Sequence, residues 1–132
     1  MKTFVTATIL FFAVLALVIV NYFILGGLFE DIEHRLDAMP TKLEDIEALS
    51  ESERAELLEK LREVKHKWES HEAYLYVVLD HAASRVFFNS LLPAISYCES
   101  GEDSQFLAEL ENAKNAVRHI RFDEGVKVGN LM

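Results

Sequence analysis

The stretch ESERAELLEKLREVKHKWES, residues 51–70, decides the fold of this chain. Apolar side chains recur along it at steps of 4, 3 and 4 residues: Leu57, Leu61, Val64 and Trp68. This is the a/d spacing of a coiled-coil seam, and charged residues occupy the other faces. Ser50 and Glu53 have the spacing of a capping box. The stretch therefore predicts an amphipathic helix that needs other helices to cover its seam.

Helical patterns continue towards the C-terminus. A helix is expected over roughly 72–99, kinked at Pro93 and closed by Gly101 as a left-handed cap. A last helix follows, with apolar residues at steps of 4, 3, 4 and 3. Its seam consists of Phe106, Leu110, Ala113, Val117 and Ile120. Residues 125–132 are expected to form a tail that either folds back or extends freely.

Towards the N-terminus, Leu28, Ile32 and Leu36 recur every four residues. We expect these three residues to form an interaction stripe for a partner helix or for a second copy of the chain. Pro40 interrupts this helix and either bends or breaks it. Thr41 and Glu44 then have the spacing of a second capping box.

Residues 3–25, TFVTATILFFAVLALVIVNYFIL, carry no charge. As a helix they span about 34 Å, enough for the hydrocarbon layer of about 30 Å. A cleaved signal peptide has a shorter apolar region and small residues at its cleavage site. Leu25 occupies the position where cleavage after Gly27 needs a small residue. The stretch therefore predicts an uncleaved signal anchor.

Charge predicts the orientation of this anchor. Lys2 precedes the apolar stretch, whereas Glu30, Asp31 and Glu33 follow it. Since basic residues stay in the cytoplasm, we expect the N-terminus inside and the bulk of the chain outside.

The remainder of the chain is acidic. The formal net charge is −9, and Lys2 contributes +1 within residues 1–27, so residues 28–132 carry −10. Such a domain is repelled by phosphate backbones, which argues against nucleic-acid binding, and it lacks the basic face of a helix that lies on a membrane. The single cysteine, Cys98, excludes an intrachain disulfide and is expected to be buried.

The patterns together predict an all-α protein. An N-terminal transmembrane helix (1–27) precedes an antiparallel helical bundle of three to four helices (28–124) and a C-terminal tail (125–132). A second membrane span over 72–99 is the alternative. It is disfavoured because Asp80, His81 and Arg85 would lie inside it, at about 2.5–3.5 kcal/mol for each charged residue at mid-membrane.

Trp68, Asp80 and His81 form the candidate site. His81 shares a helix face with Tyr74, so it is expected to be buried and to need a hydrogen bond, with a neighbouring hydroxyl, a carbonyl or the Trp68 indole N–H as its partner. Asp80 also needs a partner. The interpretation is a structural core histidine; the alternative is a ligand or a proton-linked role.

No metal, cofactor or catalytic site is predicted. Glu63 and His66 match Glu-x-x-His, one half of the paired motif of di-metal bundles, but Asp31 and His34 give only a loose second copy. A solvated face with a Glu63–Lys67 ion pair is the simpler interpretation. Nucleophile elbows and Gly-rich phosphate loops do not occur in the sequence. An enzyme is therefore not expected.

Three sequence features resemble a known family. Lys67-Trp68 is followed thirteen residues later by Asp80-His81, and the chain closes with Gly-Asn-Leu-Met, residues 129–132. The chain resembles a family of small, single-span, helical membrane-anchored proteins of spore-forming Gram-positive bacteria, defined as a domain of unknown function. Trp68, His81 and Asn130 match its recurring positions, so Asn130 is added to the candidate site of Trp68, Asp80 and His81. This chain departs from the family at 82–85, where Ala-Ala-Ser-Arg replaces an acidic residue and an isoleucine.

The resemblance implies a location at the outer face of a bacterial cytoplasmic membrane and brings no activity or cofactor. We therefore expect a membrane-anchored interaction or accessory protein whose partner is another membrane protein or a second copy of the chain. The alternative is a ligand- or metal-binding sensor bundle with a pocket near Trp68 and His81.

Overall fold

The computed structural model describes residues 1–78 and 81–131; side-chain surroundings are described for 1–75 and 82–122. Six helices follow one another, and the described residues contain no strand: α1 (Lys2–Asp37), α2 (Leu43–Glu47), α3 (Glu51–Ser70), α4 (Glu72–Val78), α5 (His81–Ser100) and α6 (Asp103–Leu131). The prediction of an all-α bundle behind a long apolar N-terminal helix is confirmed.

Helix α1 has two halves with different surroundings. Its most apolar 18-residue window has no buried residue, and its length and composition are sufficient to cross a membrane. The other half is buried from Leu25 to Leu36 along one face. One uninterrupted helix of 36 residues thus carries both an exposed apolar surface and part of the core.

Contacts between side chains fix the directions of the long helices. Lys67 binds Asp31 and Arg62 binds Glu99, while Arg121 binds Glu33. The Arg35–Glu63 and Arg118–Asp37 pairs add to these contacts. Along each pair of contacting helices, residue numbers increase on one helix as they decrease on the other. Helices α1 and α5 therefore point one way, and α3 and α6 point the opposite way, as in an antiparallel four-helix bundle.

Pro40 breaks the first helix and does not merely bend it. Helix α1 ends at Asp37 and α2 begins at Leu43, so Pro40 lies in a break between two helices. The predicted Thr41 capping box is wrong: Lys42 is the N-cap residue of α2, and its side chain makes no cap bond. A helix of five residues gains too little from capping to fix its first residue.

Two other predicted helix ends are confirmed. The Ser50 side chain accepts a bond from the Glu53 amide, and the Glu53 carboxylate accepts one from the Ser50 amide, both at 3.2 Å. Gly101 closes α5 with a φ of +76°, a conformation that other residues adopt only with strain.

One expected boundary differs from the structure, and one predicted helix is described only in part. The helix predicted over 72–99 is helical on both sides of residues 79 and 80, which lie outside the described part: α4 includes Glu72–Val78, and α5 includes His81–Ser100 with Pro93 inside it. The tail expected from residue 125 is helical in its backbone, because α6 continues to Leu131. Among the described helices α1 alone is long and apolar enough for a membrane span.

Candidate functional site

Trp68 lies at the centre of an aromatic cluster. It is fully buried near the end of α3, where the a/d seam of that helix meets α1 and α5. Its ring centroid is 4.4 Å from Phe87, 5.9 Å from Phe29 and 5.9 Å from Phe88, the last in an edge-to-face arrangement. These separations are those of favourable aromatic pairs, so one residue connects three helices.

Two buried side-chain polar atoms have no hydrogen-bond partner in the described part of the chain. They are the indole nitrogen of Trp68 and the hydroxyl of Tyr74. Burial raises the pKa of the Tyr74 hydroxyl. A buried donor without an acceptor destabilises a protein by about 1–3 kcal/mol, so orphan atoms of this kind point to strain or to a function.

The other residues of the predicted site cannot be assembled around Trp68. Asp80 lies outside the described residues. His81 begins α5 and Asn130 lies near the end of α6, but the side chains of both are outside the described set. The predicted bond between the Trp68 indole and His81 therefore stays a prediction.

The predicted interaction stripe lies inside the protein. Leu28, Ile32 and Leu36 are buried in the bundle core, on the face of α1 that packs against α3 and α6. A heptad-like stripe predicts that a helix face is buried. It does not indicate whether the chain's own helices or those of a partner bury that face. In this structure the chain's own helices cover the stripe, and a partner has no access to it.

An ionic layer surrounds this buried face of α1. On one side, Arg121 donates to Glu33 at 2.8 Å and Arg118 donates to Asp37 at 2.9 Å. On the other side, Lys67 donates to Asp31, and its hydrogen bond is the main cause that lowers the pKa of that carboxyl. Sequence reasoning missed this layer.

A sequence signal for this layer exists. The chain leaves its apolar stretch with four acidic residues on α1: Glu30, Asp31, Glu33 and Asp37. Basic residues directly follow two seam positions of α6, since Arg118 follows Val117 and Arg121 follows Ile120. Oppositely charged flanks of neighbouring seams are the pattern that selects helix partners in coiled coils.

A second polar cluster joins the ends of three helices far from Trp68. Arg54 donates two bonds of 2.9 Å to the carboxylate oxygens of Asp103 and a third, of 3.1 Å, to the carbonyl of Ile46. It therefore connects α3 with α6 and with α2. The hydrogen bonds from Arg54 lower the pKa of Asp103, whose side chain is 16% exposed.

This clamp predicts a loss of stability in acid. Because the pKa of Asp103 is lower in the folded state, the unfolded state binds more protons near the unperturbed value of about 3.9. The contribution of Asp103 to the folding stability is therefore complete above that value and is lost as the pH falls through the folded pKa.

We expect Asp103→Asn to lower the urea midpoint at pH 7 and to flatten the decline of this midpoint between pH 5 and pH 3. Asp45→Asn, on the exposed surface of α2, is the control, and an equal pH profile in both variants would contradict the clamp.

The Glu63–His66 motif lies on a polar groove of about 710 Å³ between α1 and α3. Glu63 accepts a bond of 3.4 Å from Arg35, and Lys67 is turned to Asp31, so the expected Glu63–Lys67 pair is wrong. The acidic α1 segment offers Lys67 a partner that helix spacing alone does not reveal. No group of three or more potential metal ligands occurs among the residues searched, which are those the structure describes.

Cys98 is half-buried and packs against the core. Burial raises the pKa of its thiol, so the thiolate is disfavoured. The expectation of a buried, small hydrophobic side chain is thus largely met.

Comparison with known proteins identifies the family. Residues 28–131 match the model of DUF4363, a domain of unknown function. The match begins just after Gly27 and includes all of the bundle helices. No curated protein and no solved structure matches the chain. The chain therefore belongs to the DUF4363 family.

Proposed function

We propose that this DUF4363 protein is an accessory subunit, anchored in a bacterial cytoplasmic membrane, that binds another membrane protein through its helical bundle. The observation that carries the proposal is the continuity of α1, whose exposed apolar half leads directly into the bundle core.

The exposed half of α1 supports a membrane location. Large apolar side chains face outwards around the whole helix, among them Phe4, Ile9, Phe12, Leu17 and Phe23. A surface of this size in water is a site of association with lipid or protein. Beyond its first turn, the helix pairs its backbone groups internally, as a bilayer requires.

The buried half of α1 supports a role in positioning. Core packing begins at Leu25, immediately after the apolar stretch, and the ionic layer holds the next three turns of α1 against α3 and α6. The bundle is thereby held directly above the proposed membrane surface without a flexible linker. Confinement to the membrane raises the effective concentration of other membrane proteins at this height.

The proposed orientation is N-terminus inside and bundle outside. It is supported by the contrast between Lys2 and the acidic residues Glu30, Asp31 and Glu33. The family resemblance noted from the sequence implies the same side of the membrane in spore-forming bacteria.

A ligand- or metal-binding sensor remains the second candidate. The buried indole nitrogen of Trp68, which has no partner among the described side chains, favours it. The three phenylalanine rings around Trp68 favour a filled core over a pocket. A polar cavity beside His81 is the feature that distinguishes the two candidates.

The test is a crosslink in native membranes, followed by purification through a C-terminal tag and mass spectrometry. We expect the chain to resist extraction by alkaline carbonate, external protease to remove the tag from intact cells, and one other membrane protein to be recovered in stoichiometric amount.

The matched control carries Leu10→Lys and Val14→Lys, at exposed positions of α1 outside the core. It should move to the soluble fraction and lose the partner while its bundle stays folded. Recovery of no other membrane protein with the wild-type chain would contradict the proposal.

A further inference from the structure

The outer face of α5 carries no charge over most of its length. From Val86 to Cys98 the sequence has thirteen consecutive residues without a charge, in a chain in which 27% of residues are charged. One side of this segment is buried in the core through Phe87, Leu91 and Ala94. Its opposite side is exposed, with Val86 at 55% and Leu92 at 46% of their maximal exposure.

Exposed and half-exposed residues on this side follow heptad spacing. They recur at steps of 4, 3, 4 and 3 residues: Ala82, Val86, Asn89, Pro93 and Ser96. We call these five residues the outer seam. With 3.6 residues per turn they lie opposite Leu91 and extend over about 21 Å of helix. Small and apolar residues at a/d positions, with one central asparagine, are typical of a face that packs against another helix.

We propose that the outer seam binds the outer seam of a second copy of this chain, in a parallel α5–α5 contact. Each chain carries a net charge of −9, so most approaches between two copies bring like charges together. The outer seam avoids this repulsion because it has no charge. At its centre Asn89 is self-complementary: its amide donates to and accepts from the same amide across a two-fold axis.

The directions of the helices fit this arrangement. Helices α1 and α5 point the same way, since each is antiparallel to α3. The pairs Asp31–Lys67 and Arg35–Glu63 show this for α1. The pairs Glu99–Arg62 and Phe87–Trp68 show it for α5. A two-fold axis parallel to α5 is therefore also roughly parallel to α1, and it leads both N-terminal helices into one membrane from the same side. This step rests on the proposed anchoring. Confinement in that membrane allows a contact of modest area to form, because it raises the effective concentration.

Cysteine crosslinking in membranes tests the contact. In the full chain with Cys98→Ala, or Cys98→Ser should the alanine version unfold, a single cysteine replaces Asn89 on the outer seam. The control places it at Asn112, an exposed asparagine of α6. A disulfide needs Cα atoms within about 7 Å, so only a residue near the two-fold axis forms one with its own copy. We expect N89C to form a disulfide-linked dimer and N112C to remain monomeric.

Two further variants test which surface of α5 makes the contact and whether the two α5 helices are parallel. Val86→Glu, added to N89C, places like charges across the seam and should reduce the crosslinked fraction at least about tenfold. A82C, near one end of the seam, should also crosslink to itself, because only a parallel pair brings the two copies of residue 82 together. The exposure of residues 82, 86 and 89 lets each variant keep the monomer fold.

Four results would overturn the inference: equal crosslinking at positions 89 and 112, no effect of Val86→Glu, crosslinking at 89 without crosslinking at 82, or capture of a different protein at 89. They are distinct from failure of the proposed function. If the tagged chain recovers another membrane protein but N89C does not crosslink, only the proposed dimer is contradicted. If N89C crosslinks but no other membrane protein is recovered, only the proposed accessory role is contradicted.

Discussion

Replacement of Trp68 by alanine should destabilise the bundle by about 3–5 kcal/mol, the range for removal of a large aromatic side chain from a core. Trp68 is fully buried and contacts the rings of Phe29, Phe87 and Phe88, so its loss opens a cavity where three helices meet. Small domains have total stabilities of about 5–15 kcal/mol, and the variant is therefore expected to be mostly unfolded under mild denaturing conditions. Urea unfolding of the detergent-solubilised chain, followed by circular dichroism, measures the change.

Trp68→Phe is the matched control. It keeps an aromatic ring in the cluster and removes the indole N–H, which has no partner among the described side chains. Because removal of an unsatisfied buried donor offsets part of the lost packing, this variant should lose clearly less stability than the alanine variant. A loss equal to that of alanine would show that the N–H has an important partner, and wild-type stability of Trp68→Ala would contradict the central position of Trp68 in the core.

Ile32→Lys should unfold the bundle. Ile32 is fully buried on α1, and truncation of such a side chain alone costs about 2–5 kcal/mol. A lysine at this position must in addition lose its hydration or lose its charge. We therefore expect loss of the cooperative unfolding transition, measured by circular dichroism, together with rapid cleavage by added protease.

Leu43→Lys, at an exposed position on α2, is the control and should keep the wild-type transition. The comparison separates two interpretations of the stripe Leu28, Ile32 and Leu36. If the stripe bound a partner, Ile32→Lys would fold normally and lose only that partner. Normal folding of the variant would thus contradict the structure.

The sequence predicted the secondary structure well because local rules determine it. Ser50 and Glu53 form their capping box, and Gly101 closes α5, since both features depend on a few neighbouring residues. The Thr41 capping box failed because the short α2 begins one residue later than the pattern indicates. The end of α6 was misjudged for a similar reason: two glycines near the terminus resemble a helix stop, but the helix continues to Leu131.

Contacts between helices were less predictable. The stripe on α1 was correctly assigned to one face, but its location in the chain's own core depends on where α3 and α6 lie. Lys67 has a carboxylate four residues before it, yet it binds Asp31 from a helix 36 residues away in sequence. The candidate site of Trp68, Asp80, His81 and Asn130 is described only at Trp68, so its assembly stays a prediction.

Hydrogen exchange of the full chain in lipid nanodiscs tests whether α1 is a single helix that carries the proposed anchor and the core of the bundle without a linker. We expect continuous slow exchange of the backbone amides from Phe23 through Gly26 and Gly27 to Leu36, because the helix is unbroken and its next turns are packed. Rapid exchange at residues 26–30, with slow exchange on both sides, would show a flexible linker between anchor and bundle and would contradict the account.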